Sequence, residues 1–285
     1  MTYSGATGTR TIQLGATGGS GGENRTVSVK VSAGTDNVTI SNQSSVTDLD
    51  FTGFAGTLNN PQLSIFGSVT YSTGMTLTAG TNATTFGATS GTKTITTNGK
   101  NLDFPLTVNG AGGTFQLQDN LASGTGTGRT FTLTAGTVDL NSFTATIYGI
   151  LTITGTTARG LKGPGTLATS LGGTATVISA ATMTNFTASG SSQPILAATY
   201  AGGAGTRTIS IGSTAATSEA NSPSLSVSAG TDNVTITTAS VVSSLNFTGF
   251  AGTLANGVLT IYGNLTLGSG MTLTAGTNAV SYTHL

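Results

Sequence analysis

Apolar side chains recur at every second position over short stretches of the chain: Val27, Val29 and Val31 between Thr26 and Ser32, Phe131 and Leu133 between Thr130 and Thr134, Leu151 and Ile153 between Leu151 and Thr154. A period of two sends successive side chains to opposite faces of a strand, whereas a helix needs apolar residues three and four apart. Thr or Ser fills most of the alternate positions, and Thr and Val, both β-branched, suit a pleated surface. Gly, Asn, Asp and Ser gather between the stretches, where turns are required. No eleven-residue window combines a 3.6 period with a capping signal, apart from a short candidate around Ser218 to Ala220. The pattern predicts a chain that is nearly all β.

The pattern also repeats. Ala33-Gly-Thr-Asp-Asn-Val-Thr-Ile40 returns as Ala229 to Ile236, Phe51-Thr-Gly-Phe-Ala-Gly-Thr-Leu58 as Phe247 to Leu254, and Gly74 to Ala83 as Gly270 to Ala279, each 196 positions on. From Ala33 to Ala83 the two copies share 34 of 51 residues without a gap. Upstream, Gly8 to Ile12 matches Gly205 to Ile209 at an offset of 197, so one residue separates the registers. The expected organisation is a first long repeat over 1–196 and a partial second over 197–279. The closing Val280-Ser-Tyr-Thr-His-Leu285 departs from the first copy and resembles a translated sequencing adaptor. It is expected to be a non-native tail, which takes the only histidine, His284, out of any chemistry.

A shorter unit lies inside the long one. Gly56-Thr-Leu58 leads to Leu63-Ser-Ile-Phe-Gly67, Gly136-Thr-Val138 to Ala145-Thr-Ile-Tyr-Gly149, and Gly252-Thr-Leu254 to Leu259-Thr-Ile-Tyr-Gly263. The Gly-Thr pairs at Gly34, Gly56 and Gly80, and at Gly113 and Gly136, recur at intervals of roughly 22–24 residues, within the range of one structural repeat of a solenoid. A coil of that length with Gly at its corners suits one rung of a parallel β-solenoid, right-handed and β-helix-like, whose core is the inward Leu, Ile, Val and Phe. Tandem β-sandwich modules would give similar short strands, but the chain has neither the buried Trp nor the Cys pair that marks many of them. The solenoid is the expected fold, and copies one long period apart are expected on equivalent faces of one axis.

Composition narrows the chemistry. Of 285 residues only 18 are charged, nine of each sign, while Gly reaches 43 and Thr 61. The absence of Cys excludes disulfides, thiolate metal sites and a cysteine nucleophile. Sparse, balanced charge leaves no footprint for nucleic acid, and no apolar stretch approaches the length of a membrane-spanning helix. Asp48 and Asp50, two apart in one predicted strand, would project from the same face and are the one candidate for a hard-cation site, but the second copy has Ser244 and Asn246 there. A solvated acidic pair is the plainer expectation. Asp36 and Asp232, present in both copies within Gly-Thr-Asp-Asn, read as turn residues bonded to their own backbone. Gly15 to Gly22 and Gly124 to Gly128 lack the Lys-Ser/Thr of a phosphate loop and read as turns. Arg159 and Gly160-Leu-Lys-Gly-Pro-Gly165 read as a corner loop. The sequons at Asn24, Asn37, Asn42, Asn82, Asn185, Asn233, Asn246 and Asn264 follow from the abundance of Thr. No catalytic residue, cofactor site or firm metal site is expected.

In Gly-Thr-Val-Asp-Leu-Asn141, Leu-Thr-Ile-Thr-Gly155, Met271-Thr-Leu-Thr-Ala-Gly276 and its Thr/Gly-rich, Cys-free composition, the chain resembles repeat regions of large bacterial surface proteins. These include autotransporter passengers and filamentous-haemagglutinin-like adhesins, with related phage and environmental repeat proteins. The resemblance implies a secreted or cell-surface, non-enzymatic stalk whose partners are surface glycans or proteins held by weak multivalent contacts. A carbohydrate-active β-helix enzyme and a phage tail fibre are the alternatives.

Overall fold

The computed structural model describes residues 8–14, 26–40, 44–59, 62–124, 126, 128–203, 205–213, 218–237, 239–255, 257–275 and 280–282. They form a parallel β-solenoid, in which every strand pairing is parallel and joins one turn of the coil to the next. No α-helix occurs among them; the candidate near Ser218 is a single 3₁₀ turn, Glu219–Asn221.

Each turn crosses three faces in a fixed order. The first face begins with Thr9–Ile12, Asn37–Ile40, Thr57–Asn59 and Thr76–Leu77. It continues through the Gly80 N–H to Asp103 carbonyl bond and the Asn101–Ala122 bridge. From there it runs along Leu121–Ser123, Thr144–Ile147, Thr166–Thr169, Ile195–Ala198, Ser224–Val227, Leu245–Asn246 and Leu265–Thr266. The second face carries eleven successive strand segments, from 44–46 in Ser44–Asp50 to Thr272–Leu273. Ten steps of about 4.8 Å make this face roughly 48 Å long. The third face takes Val27–Lys30, Val69–Thr70, Thr92–Thr96, Arg159–Gly163 and Phe186–Gly190. The long strands Leu106–Leu117 and Phe131–Asp139 bend over from the second face to the third.

Alternation produces this cross-section directly. On the second face Val46, Ile65, Phe86, Val108, Leu133 and Ile153 lie in register and point inward, each 2% exposed or less. One position earlier, Ser45, Ser64, Thr85, Thr107, Thr132, Thr152, Ser179, Ser210 and Thr237 form an unbroken column of hydroxyl residues on the opposite side of the strands from the core, with Ser45 and Ser210 themselves buried. Every inward Val, Leu, Ile or Phe contributes about 1.5–3 kcal/mol by leaving water. The outward Thr preserves strand geometry without adding apolar surface.

Turn length is less uniform than the spacing of Gly-Thr pairs predicts. The step from Ala175 to its partner Arg207 is more than half as long again as the step from Thr253 to its partner Thr272. Ladder pairing constrains only the strand segments, so residues can be added at the corners without changing the stack. Among the described residues three corners use Asn in the left-handed region: Asn98, Asn141 and Asn185, with φ of 50°, 48° and 57°. Each side-chain amide donates to a carbonyl of the preceding turn, those of Tyr71, Leu117 and Thr156, at 2.7, 3.0 and 2.8 Å. Asn tolerates this backbone and ties the corner down at the same time.

The two long copies lie on one axis but on different faces, which corrects the expectation of equivalent faces. Thr9–Ile12 is on the first face, whereas its counterpart Thr206–Ile211 pairs with Ala175–Ala180 on the second. Leu49 and Val69 pair on the third face, and their counterparts Leu245 and Leu265 pair on the first. Ser44, Leu63 and Thr84 lie on the second, while Ser240, Leu259 and Val280 form a separate three-stranded sheet. One long period therefore spans about eight and one third turns of the solenoid, and each element reappears one face further round. With Cα atoms of Thr176 and Thr208 paired across the junction, a Thr176→Cys/Thr208→Cys double variant should cross-link on oxidation. Ala197→Cys with Thr208→Cys should not. Non-reducing electrophoresis separates the outcomes, and the reverse result would place the copies on the same face.

Candidate functional site

The few charges are placed as fasteners between turns. Among the described residues, five ion pairs join Lys or Arg to Asp: Arg10–Asp36, Lys30–Asp50 (2.7 Å), Arg129–Asp103 (2.5 Å), Lys162–Asp139 (2.8 Å) and Arg207–Asp232 (2.6 Å). In each pair the partners are separated by about one turn of chain. Lys30 and Asp50 are Cα partners, and so are Asp139 and Lys162, so strand register itself brings the opposite charges together. Asp139 also accepts from Gln116 at 3.0 Å on its other side.

Asp36 and Asp232 are buried, at 2% and 3% exposure, and do not behave as the turn residues the sequence suggests. Asp36 accepts from the Arg10 guanidinium and from the Gly8 N–H. Asp232 accepts from Arg207 Nη2 at 2.7 Å, and Arg207 also donates to the Ala229 carbonyl at 2.9 Å. Tyr200 and Phe250 lie 5.9 and 5.8 Å from that guanidinium. The available signal was the recurrence of Arg10 as Arg207 alongside Asp36 as Asp232, one turn apart in each copy. Only the stacking of turns reveals it as a pair.

Asp48 and Asp50 share the strand Ser44–Asp50, as expected, but all four of their carboxylate oxygens are engaged within the protein. Asp48 accepts from Ser28 Oγ at 2.9 Å and from the Ser68 N–H at 2.8 Å. Asp50 takes Lys30 on one oxygen and the Thr52 N–H, at 2.8 Å, on the other. Among the described residues no three Asp, Glu, His or Cys side chains gather as a metal-binding group. Burial alone would raise the Asp50 carboxyl; hydrogen bonds from Lys30 and Thr52, with the Lys30 charge, outweigh it and hold the pKa at about 2. A carboxyl lowered on folding stabilises the native state above its unfolded value of about 3.9, and that stabilisation is lost as pH falls towards 2. Asp50→Asn should therefore flatten the fall in melting temperature between pH 4 and pH 2. An unchanged acid limb would show that the pair does not contribute.

Arg159 lies in a strand, Arg159–Gly163, rather than the corner loop expected, because residues 159–163 pair with both neighbouring turns. Its side chain is 3% exposed and has no acidic partner among the described residues; it donates to the carbonyls of Thr157, Thr182 and Thr184. The group tethers the longer corner at 181–185 and is not open to an external anion. Of Gly124 to Gly128, Gly124 adjoins the Asp103–Arg129 pair, its N–H bonded to Asn101 Oδ1 at 2.6 Å, while Thr125 and Thr127 lie outside the described residues. Gly15 to Gly22, Asn24, Asn42 and His284 lie outside the described residues. Asn37, Asn185, Asn233 and Asn246 are exposed.

No described helix is long and apolar enough to cross a membrane. No family model, no curated protein and no solved structure matches the chain.

Proposed function

We propose that the chain is a non-enzymatic rod segment of a long repetitive extracellular or cell-surface protein, which spaces other elements or presents weak multivalent contacts. The observation that carries this reading is the use of charge: among the described residues, five of the seven Asp side chains are held in ion pairs between turns, so these five acids are committed to holding the fold together. Glycoside hydrolysis needs two carboxyl groups facing one substrate with different pKa values, and none of these clamps offers that geometry. The side walls also suit a spacer. Large exposed apolar residues among those described sit in the first and last turns, at Val27, Val258, Leu267, Leu273 and Val280. The hydroxyl column of the second face carries no apolar patch for unintended association.

Two measurements test the proposal. Sedimentation velocity of the recombinant chain should give an elongated monomer; a stable trimer would favour a tail-fibre component instead. Incubation with a panel of plant and bacterial polysaccharides should release no reducing ends or unsaturated products. Turnover abolished by Asp139→Asn would replace the rod with a carbohydrate-active enzyme.

A further inference from the structure

The first face carries a groove of about 350 Å³ that the clamps leave untouched. It lies where the turns on this face are long, from Thr166 to Ile195 and again from Ile195 to Ser224. Strand register orders its lining in rows along the axis. Thr166, Ile195 and Ser224 are Cα partners on one side, and Ala197, Ser226 and Asn246 down the middle. Thr199 and Ser228 stand on the other side. Four levels, from Thr166 to Ser244, make the groove roughly 15 Å long.

Its chemistry is specific in two respects. Ile195 and Ala197 supply an apolar floor, while Thr166, Ser224, Ser226 and Ser228 set hydroxyls around it, and none of these four makes a side-chain hydrogen bond among the described residues. In contrast, Thr199 Oγ1 is already committed to the Thr169 carbonyl. No charged side chain lines the groove. An anionic or cationic ligand finds no counter-charge there, and a purely apolar one would leave the hydroxyls unsatisfied. A linear neutral saccharide meets both conditions, because its rings present C–H faces to the floor and hydroxyls to the rims. The volume falls within the range of small-ligand sites, and the rows run along the rod, as an extended chain requires.

We propose that this groove is a binding site for a neutral linear oligosaccharide of about three or four sugars. The assignment rests on the rod reading and names one surface through which such a rod makes its weak contacts. Saturation-transfer NMR with cellotetraose, xylotetraose and chitotetraose as probes tests it on the full chain. At least one probe should bind, and Ser226→Lys or Ala197→Phe should weaken it tenfold or more. Thr132→Lys, in the outward hydroxyl column of the second face, should bind as the unmodified chain does. Melting curves establish that each variant is folded; if Ala197→Phe is not, Ser226→Lys decides. The assignment is overturned if no probe binds, if Thr132→Lys loses binding equally, or if only an acidic polymer such as polygalacturonate binds. All three outcomes leave the rod reading standing, since that is carried by the ion-pair clamps and tested by shape and turnover.

Discussion

Asp232→Asn should lower the stability of the folded chain by about 3–5 kcal/mol, the cost expected when one partner of a buried ion pair is removed and the other charge stays buried. Both side chains of the Arg207–Asp232 pair are fully buried, and the guanidinium lies 5.9 and 5.8 Å from the ring centres of Tyr200 and Phe250. Solvent does not reach the position of the lost carboxylate. The double variant Arg207→Met/Asp232→Leu should recover most of the loss, since apolar side chains can replace a buried pair at little net cost. Asp36→Asn provides the internal comparison. Its partner Arg10 keeps 36% of its side chain in contact with solvent, so the guanidinium can be rehydrated and the loss should be smaller. Urea titrations of the three variants check the order. Equal losses at the two Asp positions would show that burial does not set the cost. Because solenoids can unfold in sections, the midpoint and slope of each transition need comparing before energies are assigned.

The second large effect is steric. Gly136 bridges the two halves of Phe131–Asp139 with φ of +83°, and a Cβ there would lie 2.2 Å from the Gly110 carbonyl oxygen of the preceding turn. Gly136→Ala combines the left-handed backbone penalty of about 1–2 kcal/mol with a clash against the main-chain oxygens of Gly110 and Gly113, which lie between the paired stretches ending at Asn109 and resuming at Thr114. Gly91 has φ of +63° and nothing within 4 Å of the same position. Gly91→Ala should therefore incur the backbone penalty alone. Thermal unfolding of the pair separates the two contributions: Gly136→Ala should lose the folded state or most of its melting temperature, and Gly91→Ala only a few degrees. Similar losses at both would assign the whole effect to φ.

Much of this architecture was legible in the residues. Alternation in Leu151–Ile153 and its relatives places one set of side chains in the core and the other outside, whatever the neighbouring turn contains, so strand identity and inward residues follow locally. Corner geometry is local too. Phe51-Thr-Gly-Phe54 and Phe247-Thr-Gly-Phe250 build the same bend, with Gly53 and Gly249 at φ of +86° and +85°. Their ring pairs are tilted by 42° and 44° at 5.7 and 5.8 Å. The oligosaccharide groove was not legible, because its hydroxyls come from separate, unusually long turns and resemble those of every other strand.

By itself, then, the sequence determined an all-β coil, its long period, its inward column and the shape of its corners. Tertiary structure alone decided which face each element occupies and which charge meets which. Those outcomes depend on the accumulated length of many unequal turns: corner residues added between Ile153 and Thr206 alter where every later strand falls. The third of a turn left over in each long period is such a sum. No local pattern encodes it, and it carries the second Phe-Thr-Gly-Phe bend to a different edge of the rod from the first.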